Sequence, residues 1–253
     1  VLIYNRISNG YIVKQEIGYV LLNRLCIQLG LGVQFVFALM SFFSYLFFFI
    51  FTRKKNFYIV IPAYVLLFYL QSYSLVRQIL IVSLCYAAIK LFLRKKYLSC
   101  FIFMLLAVSF HYSAAILLLV FPLFFISYNK KFIYFLLIVV IVFILSVDVI
   151  NLIEVHILSR TRYGVYIDSD YFRKTEFNSG LGVIMRIISY LILLFSIYKK
   201  DHAKGRAFNV TIVLLLLLLV TEIFSLQIYI FDRLKIIFIF ALLFVLEYIN
   251  EHK

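Results

Sequence analysis

Tryptophan is missing from this 253-residue chain, and proline (2), glycine (8) and cysteine (3) are scarce. So little proline and glycine excludes collagen-like and low-complexity chains, and the shortage of polar residues excludes disorder. Cys26, Cys85 and Cys100 form no CxxC pair and have no histidine at ligand spacing, so neither a disulfide framework nor a zinc site is indicated. Charge is short as well: charged residues make up 14% of the chain, against about 25% in a soluble domain. What is present is apolar. Hydrophobic residues reach 66%, with 29 Phe and 20 Tyr, and so few charges could not cover that surface in water. The class that fits is a polytopic, all-α membrane helix bundle.

The charge that exists is one-sided, with 25 basic against 11 acidic residues and a net +14. In a soluble protein that would suggest nucleic acid. Here the basic residues form short clusters between long apolar runs, which is a membrane topology pattern, and no nucleic-acid partner is expected. The chain opens on Val1 with no signal-peptide pattern, and a preceding segment is expected.

At about 20 residues per crossing, the apolar runs give spans at Leu31–Phe51, Phe132–Val149, Leu181–Tyr198, Phe208–Phe224 and Tyr229–Ile249. Two longer runs divide at polar interruptions. Gln71 to Ser74 separates Phe57–Tyr73 from Val76–Leu93, and Ser109 to Ser113 separates Tyr97–Phe110 from Ser113–Ser127. The total is nine spans in a single membrane domain, 1–253. It comprises an outer-side segment (1–30), six spans (31–149), an outer loop (150–180) and three spans (181–249). Alternation then puts the clusters at Arg53–Lys55, Arg94–Lys96, Lys130–Lys131 and Lys199–Arg206 on one side, twelve basic residues against one acidic. By the positive-inside rule that side is cytoplasmic. Without the two divisions the Arg94 cluster would move outside. Lys90, near an inner helix end, is expected to snorkel to the cytoplasm.

The other ionisable residues gather towards the outer face: Glu16, Arg77, His111, Arg160, Arg162, Arg173, Lys174, Arg186, Glu222, Asp232 and Arg233. Charges at membrane depth are costly unless paired, hydrated or lining a cavity, which makes them functional candidates. Arg173 and Lys174, beside Asp170 and Glu176, read as solvated loop charges. Glu222 reads as a bridge to a nearby cation such as Arg233. Arg77 with Gln78, at the head of an apolar helix, calls for an anionic or carbonyl-rich partner.

Three of these places carry a resemblance. Glu16 to Asn23 (EIGYVLLN), Ser74 to Gln78 (SLVRQ) and Ala107 to Ala114 (AVSFHYSA) are similar, in order and spacing, to the motifs of the EpsG family. These are membrane proteins of the Wzy-type polysaccharide (O-antigen or capsule) polymerase class. The likeness runs along nearly the whole chain. It departs at Ile79-Leu80, where a small residue is usual, and at Asp232-Arg233-Leu234-Lys235, where an Arg-Ile step is usual.

The resemblance implies a glycosyltransferase on the outer face of the bacterial cytoplasmic membrane. It would join undecaprenyl-pyrophosphate-linked oligosaccharide repeats into O-antigen, capsule or exopolysaccharide. Its donor and acceptor would both be lipid-linked glycans, with membrane lipid around it and a chain-length regulator and a flippase as partners. Arg77, Gln78, Arg233, Arg160, Arg162 and Arg186 would then bind the substrate, since guanidinium groups suit a departing pyrophosphate. His111, or else Glu16, would be the catalytic base for a sugar hydroxyl. There is no DxD-like motif or phosphate-binding Gly loop, and no cofactor or metal is expected. A ligase of the same pathway would use the same arginines. A lipid-oligosaccharide flippase should instead show related halves and midplane polar residues. An acyltransferase lacks its leading motif, and a structural subunit leaves the one-sided arginines unexplained.

Overall fold

Apolar runs with almost no helix breakers leave the backbone one way to satisfy itself in a membrane, and every described element is a helix. A computed structural model describes residues 2–126, 180–199, 205–225 and 230–252. These fall into two units, Val1–Pro122 and Leu123–Lys253.

The first unit holds α1 (Leu2–Ser8), α2 (Ile17–Gln28), α3 (Val33–Phe51), α4 (Phe57–Ser72), α5 (Val76–Leu93), α6 (Tyr97–Phe110) and the short α7 (Ala115–Val120). Its centre is α5, buried at every residue from Gln78 to Phe92. Three helices pack on it, each through a stripe at helical spacing. The stripes are Val36, Met40, Ser44 and Phe48 of α3, Val60, Tyr64 and Phe68 of α4, and Cys100, Met104 and Ala107 of α6. Their other faces carry exposed Phe, Leu and Ile, as a lipid-facing surface should. Two polar side chains of α5 are answered inside the bundle. Ser83 lies 3.3 Å from the Tyr64 hydroxyl, and the Tyr86 hydroxyl lies 3.1 Å from Thr52. Lys90 departs from the snorkelling expectation. It is buried, with Nζ 5.2 Å from the centre of the Tyr86 ring, within cation–π reach.

Tight turns fix the order of ends. Between α5 and α6 the chain reverses over Arg94–Lys96, where the Lys96 N–H bonds the Leu91 carbonyl and Lys95 takes a positive φ of 61°. Arg94 donates to the Phe51 carbonyl at the end of α3, 3.3 Å away. The two basic turns, Arg53–Lys55 and Arg94–Lys96, therefore lie at one end of the unit. The start of α5 and the end of α6 lie at the other.

In the second unit, α8 (Gly180–Lys199), α10 (Ile230–Phe238) and α11 (Ala241–Glu251) pack on a buried α9 (Arg206–Ser225). The single crossing expected at Tyr229–Ile249 is instead two helices, α10 and α11. Leu242 and Leu243 donate to carbonyls three residues back, a 3₁₀-like tightening that ends one helix and starts the next. Among the described residues four helices are long and apolar enough for a full crossing: α3, α5, α8 over Leu181–Tyr198, and α9. Tyr97–Phe110 and Tyr112–Phe125 are shorter apolar stretches. The expected span Phe132–Val149 and most of the loop 150–180 lie outside the described residues. Of the expected spans within the described residues, these four are of full crossing length. The chain is a membrane protein.

Candidate functional site

Three helix ends deliver the site. Arg77 is the second residue of α5, which starts after Leu75 leaves helical geometry (φ −122°, ψ 39°). His111 closes α6. Its N–H still bonds the Ala107 carbonyl, but its backbone is extended (φ −161°, ψ 123°), so the side chain departs from the helix axis. Glu16 stands immediately before α2 with extended ψ (135°), and its carbonyl accepts the Val20 N–H. Because α5 and α6 are joined by a tight turn, Arg77 and His111 share one end of the unit. Packing of α2 against α6 brings Glu16 to them.

That packing depends on a missing atom. A Cβ on Gly18 would stand 2.6 Å from Ser109 Oγ and 2.9 Å from the Ser109 carbonyl oxygen. The first is a side-chain atom that could rotate away. The second is backbone, so any larger residue at 18 must push α2 off α6.

The result is a carboxylate held between a guanidinium and an imidazole. Glu16 Oε2 lies 3.3 Å from an Arg77 terminal nitrogen, and Glu16 Oε1 lies 3.0 Å from His111 Nδ1. Glu16 is only 7% exposed, whereas Arg77 and His111 are about a third and a quarter open. Burial pushes the Glu16 carboxyl up. The hydrogen bond to His111, a bond to its own backbone, and the charges of His111 and Arg77 outweigh that and hold it below its ordinary 4.5. Glu16 is therefore a carboxylate near neutrality, and His111 Nδ1 donates to it. That fixes the tautomer and leaves His111 Nε2 as the proton acceptor. The Arg77 guanidinium also stacks over the buried Tyr19 ring, 4.6 Å from its centre. Gln78, the next residue, is 9% exposed, and its side-chain oxygen has no hydrogen-bond partner among the described residues.

The remaining candidates are elsewhere. Arg186 lies in the second unit, where its Nε donates to the fully buried Glu222 at 2.7 Å. The second oxygen of Glu222 lies 3.5 Å from Lys235. The described partners of Glu222 are thus Arg186 and Lys235. Arg233 falls on α10, but its side chain is outside the description, as are Arg160 and Arg162 altogether. Tyr19 and the Gly18–Ser109 contact were missed as site elements. The signal for Tyr19 was present, since it follows Glu16 at a spacing of three and so shares its side of the helix. Among the described residues no group of three or more His, Cys, Asp or Glu could hold a metal.

The model of a protein family described as the EpsG family matches residues 1–253. No curated protein and no solved structure matches the chain.

Proposed function

The chain belongs to the EpsG family of polysaccharide-biosynthesis membrane proteins, and from that premise we propose that it is a polymerase of lipid-linked glycan repeats. In this reading it transfers a growing glycan from a polyprenyl pyrophosphate carrier to a sugar hydroxyl of a second lipid-linked repeat. The observation that carries the reading is the Glu16 carboxylate bridging His111 and Arg77 at the end of the unit away from its basic turns. By the charge bias, that end faces outward.

Each group has a task that its geometry suits. His111 Nε2 takes the proton of the acceptor hydroxyl as the oxygen attacks the anomeric carbon. Glu16 is the positioning residue. It holds the imidazole in the accepting tautomer and stabilises the imidazolium that forms. The bond from the anomeric carbon to the carrier oxygen breaks, and the pyrophosphate leaves with the electron pair. The guanidinium donors of Arg77 not used by Glu16 meet that developing charge, and the Tyr19 ring beneath keeps the fork from turning away. Gln78 contributes a buried amide beside it. The apolar faces of the surrounding helices accommodate the polyprenyl chains.

The test uses purified protein in lipid nanodiscs supplied with lipid-linked repeat units alone. Wild type should build a ladder of longer glycans on the carrier, whereas a ligase or a flippase would not elongate them. His111→Gln should fold and insert as wild type does but slow elongation by two orders of magnitude or more, the usual worth of general base catalysis. An unchanged ladder from a folded His111→Gln protein would overturn the assignment.

A further inference from the structure

The basic end of the first unit carries more charge than the unit itself can answer. Arg53–Lys55 and Arg94–Lys96 meet there, and Glu16, the one acidic residue from Val1 to Pro122, lies at the opposite end. Arg94 is engaged within the fold. It donates to the Phe51 carbonyl and stands 5.8 Å from the centre of the Phe51 ring, which ties one turn to the other. Lys54, Lys95 and Lys96 are exposed. The N–H groups of Lys95 and Lys96 bond the Phe92 and Leu91 carbonyls, closing α5 with a left-handed residue at 95, where glycine is usual. A lysine there places a charge where the backbone disfavours a side chain.

An apolar groove begins at the same turns. α3 and α6 both pack on α5, and they touch through Phe103, whose ring centre lies 5.4 Å from those of Phe47 and Phe51. Helical spacing separates the two sides of this seam. On α3, Ser44 and Phe51 lie on one side of Phe47 and are buried, whereas Phe43 and Ile50 lie on the other and are exposed. On α6, Cys100 and Ala107 lie on the buried side of Phe103, and Ile102 and Leu106 on the exposed one. The basic turns follow α3 and precede α6, so the lysines stand at the mouth of the groove. From Phe43 to Phe51 the helix rises about 12 Å at about 1.5 Å per residue, close to one leaflet of a hydrocarbon core of about 30 Å.

We infer that this end is a binding site for an anionic glycerophospholipid of the cytoplasmic leaflet, with its phosphate among Lys54, Lys95 and Lys96 and an acyl chain in the α3–α6 groove. The two parts of the site ask for the two parts of one molecule. A soluble anion would leave the groove bare, a zwitterionic lipid brings no net charge to the lysines, and a polyprenyl chain would outrun a groove one leaflet deep. Each basic residue at a membrane surface favours anionic lipid about fivefold, and a basic pocket at helix ends gives that attraction a fixed place. The site stands on the fold of the first unit and does not depend on the polymerase reading.

The test places the protein in phosphatidylcholine nanodiscs containing a trace of phosphatidylglycerol or phosphatidylcholine spin-labelled on one acyl chain, and electron paramagnetic resonance reads the immobilised fraction. Wild type should hold phosphatidylglycerol in preference to phosphatidylcholine. Lys95→Gly should weaken that preference about fivefold, and Lys54→Gln, Lys95→Gln and Lys96→Gln together should abolish it. Lys95→Gly also separates binding from folding, because its unfolding temperature in lipid-free detergent should rise. Loss of the preference with a fall in that temperature would make Lys95 a structural residue and overturn the proposal. Lys14→Gln, beside Glu16 at the other end, should leave binding as it is, and an equal loss there would mark diffuse attraction to a basic protein instead. An immobilised fraction no larger for phosphatidylglycerol than for phosphatidylcholine would also overturn it. Displacement of the label by glycerol phosphate, a headgroup without chains, would mark a free-anion site and overturn it too.

Discussion

Protonating Glu16 removes the acceptor that Arg77 and His111 both use. The carboxyl is held below its ordinary 4.5 in the folded chain, so its contribution to stability is complete above that value. The contribution is lost as pH falls through the lowered folded value. Wild type should therefore unfold at a higher temperature than Glu16→Gln at pH 6 to 7, and the gap should close below about pH 4.5. Thermal unfolding in detergent across that range checks it, and a gap independent of pH would show that the ion pairs do not depend on the charge of Glu16. The three residues could each be picked out in the sequence as ionisable groups near one face. Their partnership could not, because 61 residues separate Glu16 from Arg77 and 95 separate it from His111. Local pattern says which side chains are expensive to place in a membrane. It does not say which of them meet.

At the level of elements, two positions decide how helices approach and turn. Gly18→Ala places a methyl against the Ser109 carbonyl. Overpacking of this kind costs about 1–3 kcal/mol, and here it is relieved by moving α2, which carries Glu16 away from His111. Elongation should fall well below wild type while the protein stays inserted, and trimming Ser109 to Gly should not restore it, because the backbone oxygen remains. Full activity of Gly18→Ala would show that α2 has room to adjust. Lys95 is the reverse case, a side chain where the backbone favours glycine. Lys95→Gly should stabilise the protein by roughly 0.5–1 kcal/mol, read as a higher unfolding temperature. The boundaries of α5 and α6 were legible to the residue, since basic turns and a polar break bracket each apolar run. The division between α10 and α11 was not. The stretch Ile236 to Val245 is unbroken apolar sequence without Gly or Pro, so no local breaker marks the turn between two helices that both pack on α9.

For the molecule as a whole, the charge bias predicts an orientation that can be tested chemically. The native thiols Cys26, Cys85 and Cys100 are all buried, so an added cysteine reports alone. With an impermeant maleimide on intact spheroplasts, Ser74→Cys, in the exposed turn beside the site, should label. Lys54→Cys, in the basic turn at the opposite end, should label only after lysis. The opposite result would turn the site towards the cytoplasm and separate it from lipid-linked substrates outside. Composition and hydropathy were enough for fold class, because crossing length and lipid compatibility are local properties. The number of full-length crossings was harder to read, since short and divided helices satisfy the same hydropathy.

The enclosure of α5 has a bearing on how the protein is made. Ser83, Tyr86 and Lys90 are answered by α3, by α4 and from within α5, so this helix is poorly suited to stand alone in lipid as it leaves the ribosome. It needs neighbours that precede it in the chain, and α3 and α4 do. Its second wall, α6, follows immediately. The order of synthesis therefore matches the order of need. Arg77, carried on α5, shares Glu16 with His111 only once α6 has followed. A half-made chain would carry Arg77 and Glu16 without His111, and so would lack the base of the proposed mechanism.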